Sequence, residues 1–350
     1  MPTARALRLC PGAMVVPVPM RECGRISREI HQVLGRFTPV VQGASIDEWY
    51  LDMDGTEALY HGESLRETAH RIRRAVIDAT EMTVSIGGGT NRLVAKLAVE
   101  RAKPKPGTGA DGVHIVAPGE EATFVATLSL ADLPMVGPRF RERLEAQGVR
   151  TIQDVLNTPT ATLQRWIGER AAGWLERRVR GIDSSDVEAR GTARSTGHEE
   201  TFGTDIGDDD TLGRELVHLA TRVAHDLRER GLMARTVTVK LRDHDFKTRN
   251  ASRTLPQGVI SDRVILSTAR ELLAKLRRAR RVPARLLGVS LSGLDDADAE
   301  AQLTLFDEGS ALVESEKDRR LSRAIDKVRS RFGRDAVMPA RVTGRTSRPR

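Results

Sequence analysis

Two adjacent acidic residues, Asp47 and Glu48, lie within residues 45–52, between two short apolar runs. Neighbouring side chains of a regular strand point to opposite faces, so these two carboxylates can share one site only at a bend. Crowded carboxylates repel each other unless a cation lies between them, and Mg²⁺ prefers such hard oxygen ligands. The segment therefore predicts either a Mg²⁺ site or a solvent-exposed acidic turn, and the exposed turn is the commoner outcome for two adjacent acids in an arbitrary protein.

Short elements of both kinds surround this acidic pair. The apolar spacing predicts, in chain order, a hairpin of residues 40–41 and 49–51, a helix over 64–79, a strand over 84–86 and a helix over 91–102. Such an alternation of strands and helices predicts a sheet that is covered by helices on one face.

The remainder of the chain changes character three times. The pattern predicts an all-helical region over 119–183, a linker over 184–190, an α/β region over 191–295 with a helix at 212–230 and strands at 236–241 and 286–291, and a tail over 296–350. The tail is rich in Asp and Ala and then strongly basic, so we expect it to be mostly extended or disordered, with one helix near 317–332.

The charge balance favours a polyanionic partner. The 350 residues include 56 Lys and Arg against 48 Asp and Glu, a net charge of +8. Each phosphate that such a protein neutralises releases counterions and gains free energy. Aromatic residues make up only 3% of the chain, which argues against a protein that binds single-stranded nucleic acid by stacking bases on aromatic side chains. A protein that holds the backbone of duplex DNA remains compatible with these numbers, although many arginine-rich proteins bind no nucleic acid.

The sequence argues against a membrane or secreted protein. No apolar run approaches the roughly 20 residues that a spanning helix needs, and the first residues lack the pattern of a signal peptide. The two cysteines, Cys10 and Cys23, have no partner at metal-ligand spacing. We therefore expect no membrane association, no disulfide framework and no zinc site, and a reducing cytoplasm fits.

Five segments, in order, resemble the Y-family DNA polymerases of the DNA polymerase IV, translesion type. Residues 45–52 (Ser-Ile-Asp-Glu-Trp-Tyr-Leu-Asp) are similar to the family's palm motif S-(L/I)-D-E-x-Y-L-D. Residues 84–96 resemble its S-x-G-x-x-x-N-K-x-x-A-K stretch, with Arg92 in place of the usual lysine. The other three segments are 1–11, 102–107 and 194–202. Five motifs in the family's order make the resemblance specific.

The resemblance implies an α/β multidomain (α+β) fold with a partial palm sheet, a small helical thumb that carries a helix-hairpin-helix, an α/β little finger and a basic tail. The expected boundaries are 1–20 for a remnant of the fingers, 21–118 for the palm, 119–183 for the thumb, 184–190 for the linker, 191–295 for the little finger and 296–350 for the tail.

The resemblance also implies a function, template-directed DNA synthesis by two-metal nucleotidyl transfer. Asp47 and Glu48 would hold Mg²⁺, and Glu48 would help to activate the primer hydroxyl. Lys103 would meet the triphosphate of the incoming dNTP, and Lys96 would contact DNA, although a lysine on a helix face needs no function. A monomer that binds primer-template DNA and dNTP is expected.

Two further regions are candidates for DNA contact. Residues 133–151 resemble a helix-hairpin-helix, in which Gly137 and Arg139 would meet a phosphate at a helix N-terminus. Met135 occupies a position where that motif often has glycine, so we expect a looser hairpin. In the little finger, Arg242, Lys247, Arg249 and Arg253 surround a strand pair and predict a basic face of the sheet.

A short motif in the tail resembles the peptide that binds the bacterial sliding clamp. Gln302, Leu303, Leu305 and Phe306 form its glutamine and apolar positions. An extended segment of this kind inserts its apolar side chains into a pocket while the glutamine fixes the register by hydrogen bonding. The motif predicts a sliding clamp as a partner.

One expected feature of the family has no counterpart in these residues. The first metal-binding aspartate of the family and the bulky residue near it are absent, which implies that the chain begins within the fingers and lacks a central palm strand. An edge left without its strand exposes unpaired backbone groups, so instability is expected. Two alternatives are a catalytically inactive homologue that binds DNA and clamp as a scaffold, and a helix-hairpin-helix nuclease or repair-binding module.

Overall fold

A computed structural model describes residues 1–56, 62–189, 191, 193–297, 314–333 and 336–337. The chain divides into two compact units, Met1–Gly191 and Thr192–Arg350. The second unit has one large apolar core. The first unit has one cluster within its α/β part and another in which Leu93 and Leu97 pack with its helical part.

The α/β part of the first unit contains the acidic pair. Its elements are α1 (Thr3–Leu9), α2 (Met20–Leu34), β1 (Val41–Gly43), β2 (Trp49–Leu51), α3 (Leu65–Thr80), β3 (Ile86–Gly88), α4 (Arg92–Ala102) and β4 (Val113–Ile115). The predicted hairpin is confirmed as the antiparallel pair β1–β2, and β3 pairs with β4 in parallel. The sequence predicted one helix-covered sheet, but the described strands form two separate two-stranded ladders.

Local sequence signals fix where α3 and α4 begin. Ser64 and Glu67 form a reciprocal capping box at the start of α3. The Asn91 side chain accepts a hydrogen bond from the Val94 N–H and caps α4. Both helices therefore begin within two residues of the predicted positions.

A close approach between β3 and α4 holds this helix against the strand. An ideal Cβ on Gly87 would lie 2.2 Å from the backbone N of Val99 and 2.4 Å from the backbone O of Ala95. Backbone atoms of a helix cannot move aside as a flexible side chain does. Only glycine fits at this position of β3.

We expect Gly87→Ala to destabilise the protein by roughly 1–3 kcal/mol or more, because α4 must shift away from β3. The urea dependence of unfolding measures this change. Gly173→Ala in the helical part is the matched control, since its added Cβ would meet only the end of the Arg177 side chain, at 3.8 Å. The control is expected to leave stability unchanged or raise it by up to about 1 kcal/mol.

The helical part of the first unit packs around one apolar cluster. Its helices are α5 (Glu121–Ala126), α6 (Pro138–Glu145), α7 (Ile152–Asn157), α8 (Thr160–Ile167) and α9 (Glu169–Val179). Leu144, Leu163 and Leu175 lie fully buried in its centre. This part is all-helical, as the sequence predicted.

The hairpin before α6 closes tightly, which corrects the looser hairpin expected from Met135. Met135 adopts a φ of 71°, the left-handed conformation that glycine takes at least cost. The Val136 N–H donates to the Leu133 carbonyl at 3.1 Å and closes the turn. The Met135 side chain is 83% exposed, so it has room in this conformation.

The second unit is a four-stranded antiparallel sheet with helices packed against it. Its elements are β5 (Ser195–Ile206), α10 (Asp209–Glu229), β6 (Leu232–Asp243), β7 (Thr248–Val259), α11 (Asp262–Ala279), β8 (Ala284–Asp296) and α12 (Glu316–Phe332). The strand order is β5-β8-β6-β7. Val237, Val239 and Leu241 of β6 are buried toward α10 and α11.

The helix expected near 317–332 is present as α12, and polar contacts fix it to α10 and α11. Asp326 accepts two hydrogen bonds from Arg228, whose side chain is 5% exposed and also binds Asp262 at 2.8 Å. The Ser322 hydroxyl accepts from the Asp262 N–H at 3.2 Å. The helix that the sequence predicted within the tail is therefore confirmed, and it is packed against the unit.

We expect Asp326→Asn to destabilise the second unit by about 3 kcal/mol at neutral pH, since Arg228 then lies buried with one carboxylate fewer. Burial alone would raise the pKa of Asp326, but the hydrogen bonds from Arg228 and His225 hold that pKa below its ordinary value. The stabilisation is therefore complete above about pH 4 and is lost as the pH falls through the lowered pKa. Urea unfolding at pH 7 and below pH 3 should show the difference from wild type shrinking, whereas the exposed Glu316→Gln should change little at pH 7.

Candidate active site

The acidic pair lies in the bend between β1 and β2. The Ala44 N–H donates to the Glu48 carbonyl at 2.9 Å, which closes the loop. Asp47 is exposed, and its carboxylate accepts a hydrogen bond from the Ser45 hydroxyl at 2.5 Å. The bend therefore places two consecutive carboxylates at the surface of the first unit, as the sequence predicted for residues 45–48.

Lys96 of α4 forms an ion pair with Glu48, so the hairpin and the helix meet at the acidic pair. The Lys96 ammonium lowers the pKa of Glu48 most, and Tyr50 lowers it further, against burial and the nearby negative charge of Asp47. Glu48 is therefore a carboxylate at neutral pH. Burial, followed by the hydrogen bond to Glu48, raises the pKa of Tyr50 to about 12, so its hydroxyl is a donor.

Arg92 extends this network. Its guanidinium lies 4.4 Å from the centre of the Tyr50 ring, and its Nη1 donates to the Asp186 carbonyl at 3.3 Å. The sequence singled out Arg92 only as a departure from the family pattern. Its contact with Asp186 joins residues 94 positions apart in sequence, which no local pattern reveals.

Lys103 lies at the end of α4 and is half-exposed. Its ammonium pairs with Glu100 at 2.5 Å. Lys103 follows Lys96 by seven residues, which is two helical turns or roughly 10 Å along the same face. The face of α4 that meets the acidic pair therefore carries three cations, Arg92, Lys96 and Lys103, with Glu100 between the last two.

The donor chemistry of the bend fits a hard divalent cation. Mg²⁺ in nucleotide sites takes one or two protein carboxylates and completes its shell with phosphate oxygens and water. Asp47 and Glu48 can supply two such carboxylates. Within the described ranges, no group of three or more His, Cys, Asp or Glu residues could hold a metal ion alone. Asp52 accepts a hydrogen bond from the Asp54 N–H at 3.0 Å within the turn after β2.

The helix-hairpin-helix positions are accessible. Gly137 is the N-cap of α6 and Pro138 its first residue. Gly137 and Arg139 are both exposed. A helix N-terminus on the surface offers backbone N–H groups and a partial positive charge to an anion such as a phosphate.

The face of the second-unit sheet away from the helices is polar. Thr236 and Thr238 of β6 form cross-strand hydroxyl pairs with Thr254 and Ser252 of β7, each at 2.9 Å. Lys240 and Arg242 continue the same side of β6. Lys240, which pairs with Glu199, was missed in the sequence because only its alternation with buried residues marks its face.

Two of the predicted basic residues lie on the other side of this sheet. Arg253 pairs with Val237 in register, faces the helices and forms an ion pair with Glu271 of α11. Arg249 binds the fully buried Asp243. The prediction of one basic face is therefore wrong for Arg249 and Arg253, because the alternation of β7 points them toward α11. Lys247, at the turn, is 72% exposed.

The remaining predicted site residues, Gln302, Leu303, Leu305 and Phe306, lie outside the described residues. Among the helices in the described ranges, none is long and apolar enough to span a bilayer.

Comparison with known proteins assigns the chain to a family. Residues 1–100 match the impB/mucB/samB family, and residues 193–305 match the C-terminal domain of that family. Residues 131–183 match the thumb domain described for DNA polymerase-iota. The chain is 38% identical over 304 residues to a DNA polymerase IV of Halorhodospira halophila, which covers 86% of this chain and 82% of that protein. The chain belongs to the Y-family DNA polymerases.

Other Y-family proteins match 83% or more of the chain. A DNA polymerase IV of Dehalococcoides mccartyi is 33% identical over 348 residues, 99% of this chain and 84% of that protein. Among solved structures, a Y-family chimera of the Dbh and Dpo4 polymerases matches with a TM-score of 0.71 and 23% identity, over 84% of this chain and 82% of the other. An insertion ternary complex of Dbh DNA polymerase matches with a TM-score of 0.58 over 83% and 82% of the two chains, also at 23% identity.

These comparisons confirm the predicted family and fold class. The fold is mixed α/β, with a helix-hairpin-helix thumb and a sheet that resembles a Y-family little finger. The family is one of DNA-directed DNA polymerases.

Proposed function

We propose that this protein is a translesion DNA polymerase that adds dNTPs to a primer opposite a template. The observation that carries the proposal is the meeting of the bend at Asp47 and Glu48 with the cationic face of α4. Carboxylates can hold a metal ion and neighbouring cationic side chains can bind phosphates, so together they fit a reaction that joins a triphosphate to a hydroxyl. Family membership supports the same reaction.

In this proposal Asp47 and Glu48 hold Mg²⁺, which when bound lowers the pKa of a hydroxyl and neutralises charge on the leaving pyrophosphate. Lys96 reaches Glu48 from α4, keeps its carboxylate ionised and fixes its orientation. Lys103 releases Glu100 and donates to the triphosphate, a charge-assisted hydrogen bond. These four side chains all lie within residues 47–103 of one compact unit.

We propose two surfaces that hold primer-template DNA. Gly137 and Arg139 at the start of α6 contact one phosphate backbone, while Lys240 and Arg242 on the open sheet face contact another. Hydroxyl-rich positions beside these cations donate to phosphates without reading base sequence. Lys247, at the turn before β7, extends this cationic face. Arg253, on the helix side of β7, contacts DNA at the β7 edge and not on this face. Binding by backbone contact suits a polymerase that must accept any template sequence.

The tail motif adds a second partner. Leu305 and Phe306 insert into an apolar pocket of a sliding clamp, with Gln302 and Leu303 setting the register. We propose that the protein acts as a monomer in the cytoplasm with this clamp as its processivity partner.

Template-directed primer extension tests the proposed function. Four primed templates that differ only in the first unpaired base are each incubated with Mg²⁺ and one dNTP at a time. We expect extension by the complementary nucleotide and loss of extension with a chelator. Binding of primer-template DNA without extension on any of the four templates, in Mg²⁺ or Mn²⁺, would contradict the proposal and favour the DNA-binding scaffold.

A further inference from the structure

Three consecutive residues at the start of α4 form hydrogen bonds with segments at both ends of the helical part. The Thr90 hydroxyl bonds to the Glu121 carboxylate at 2.6 Å, beside the start of α5. The Asn91 amide donates to the Gly181 carbonyl at 2.8 Å, just after α9. Arg92 donates to the Asp186 carbonyl in the linker. Residues 90–92 therefore form a junction between α4 and the two ends of the helical part.

Arg92 differs from the other two members of the junction because it also contacts Tyr50, on the hairpin that carries the acidic pair. Its guanidinium lies over the Tyr50 ring, and Tyr50 bonds to Glu48. Arg92 Nε is buried and has no hydrogen-bond partner among the described residues. A cation over a ring gains more free energy when water is excluded, and Arg92 and Tyr50 are both partly buried.

An arginine can make both contacts at once where a lysine cannot. The planar guanidinium stacks on an aromatic face while its edge donates to a carbonyl. An ammonium is a point charge that keeps its own water shell and would favour one contact over the other. The replacement of the family's usual lysine by Arg92 therefore has a specific geometric consequence in this chain.

We propose that Arg92 is a positioning residue that couples the linker at Asp186 to the Tyr50–Glu48 side of the candidate active site. A shift of the linker moves the guanidinium, which changes the support of Tyr50 and of the carboxylate it binds. The coupling runs in both directions, because one equilibrium links the two contacts. Its consequence for nucleotide addition rests on the proposed function, but the coupling itself does not.

A spin label on the linker measures the coupling without any catalytic assay. Glu188 is exposed and two residues from Asp186, so Glu188→Cys in a Cys10→Ser, Cys23→Ser background accepts a nitroxide at one site. The ratio of immobilised to mobile label is compared among wild type, Arg92→Lys, Arg92→Ala and Tyr50→Leu. Arg101→Lys is the matched control, since Arg101 lies on the same helix and donates to Thr127 instead.

We expect Arg92→Ala to lower the ratio of immobilised to mobile label about tenfold, because one hydrogen bond and one stack of ordinary strength are lost. Arg92→Lys is expected to lower this ratio by a smaller factor. The decisive variant is Tyr50→Leu, which alters the hairpin only and is expected to loosen the linker as well. Unchanged label mobility in Tyr50→Leu, or an equal change in Arg101→Lys, would overturn the coupling.

Kinetics separate this inference from the proposed function. If primer extension occurs, Arg92→Lys is expected to lower kcat about tenfold and leave KM for dNTP within about threefold, because Glu48 is displaced while the triphosphate contacts remain. A rise in KM with kcat unchanged would overturn the positioning role. If wild type does not extend primers, a linker that still responds to Tyr50→Leu upholds the coupling although the proposed function has failed.

Discussion

Replacing Asp47 and Glu48 together by alanine is expected to lower the rate of nucleotide incorporation at least about a thousandfold. The pair supplies the two protein carboxylates at the bend, and a hard divalent cation loses both when they are replaced by alanine. The dissociation constant for primer-template DNA should change by less than about threefold, because that contact is assigned to other surfaces. Single-turnover incorporation and equilibrium DNA binding measure the two quantities.

Asp52→Ala with Asp54→Ala is the matched control for this double variant. It removes the same charge from residues just after β2, where Asp52 serves only the turn. We expect incorporation within about threefold of wild type, as for surface changes away from a site. Equal losses in the two double variants would mean that net charge or folding, rather than the acidic pair, controls the rate.

Lys103→Ala is expected to raise KM for dNTP roughly 10- to 100-fold, because one charge-assisted hydrogen bond to the triphosphate is lost. The effect on kcat should be smaller. Steady-state incorporation over a range of dNTP concentrations measures both constants. The prediction depends on Lys103 leaving Glu100, its partner at 2.5 Å, when the substrate binds.

Glu100→Gln provides the opposite change on the same helix. It removes the competing carboxylate, so KM for dNTP should stay the same or fall slightly. A rise in KM as large as that of Lys103→Ala would show that the ion pair itself, and not the free ammonium, matters for substrate binding.

Elements with strong local signals could be predicted from the sequence. The hairpin was predicted from two apolar runs around a polar bend, and α4 was predicted from its apolar spacing. The strand β6 followed from its alternation of Val and Thr. These features depend on residues close together in the chain, so local pattern and structure agree.

Features that depend on tertiary contact could not be predicted. The ion pair between Lys96 and Glu48 joins residues 48 positions apart. The direction of Arg253 depends on its pairing with Val237, and a shift of one residue would have reversed it. The docking of α12 rests on Asp326 and Arg228, which are 98 positions apart and carry no shared motif.

Metal-directed cleavage of the chain tests most directly whether Asp47 and Glu48 are the protein ligands of the catalytic cation. Fe²⁺ replaces Mg²⁺ in the presence of primer-template DNA and dNTP, and ascorbate with peroxide then cuts the backbone next to the bound iron. We expect cleavage within residues 44–51 that Mg²⁺ suppresses and that the Asp47→Ala, Glu48→Ala variant loses. Cleavage that remains at this hairpin in the variant, or that occurs only elsewhere in wild type, would contradict this assignment of the ligands.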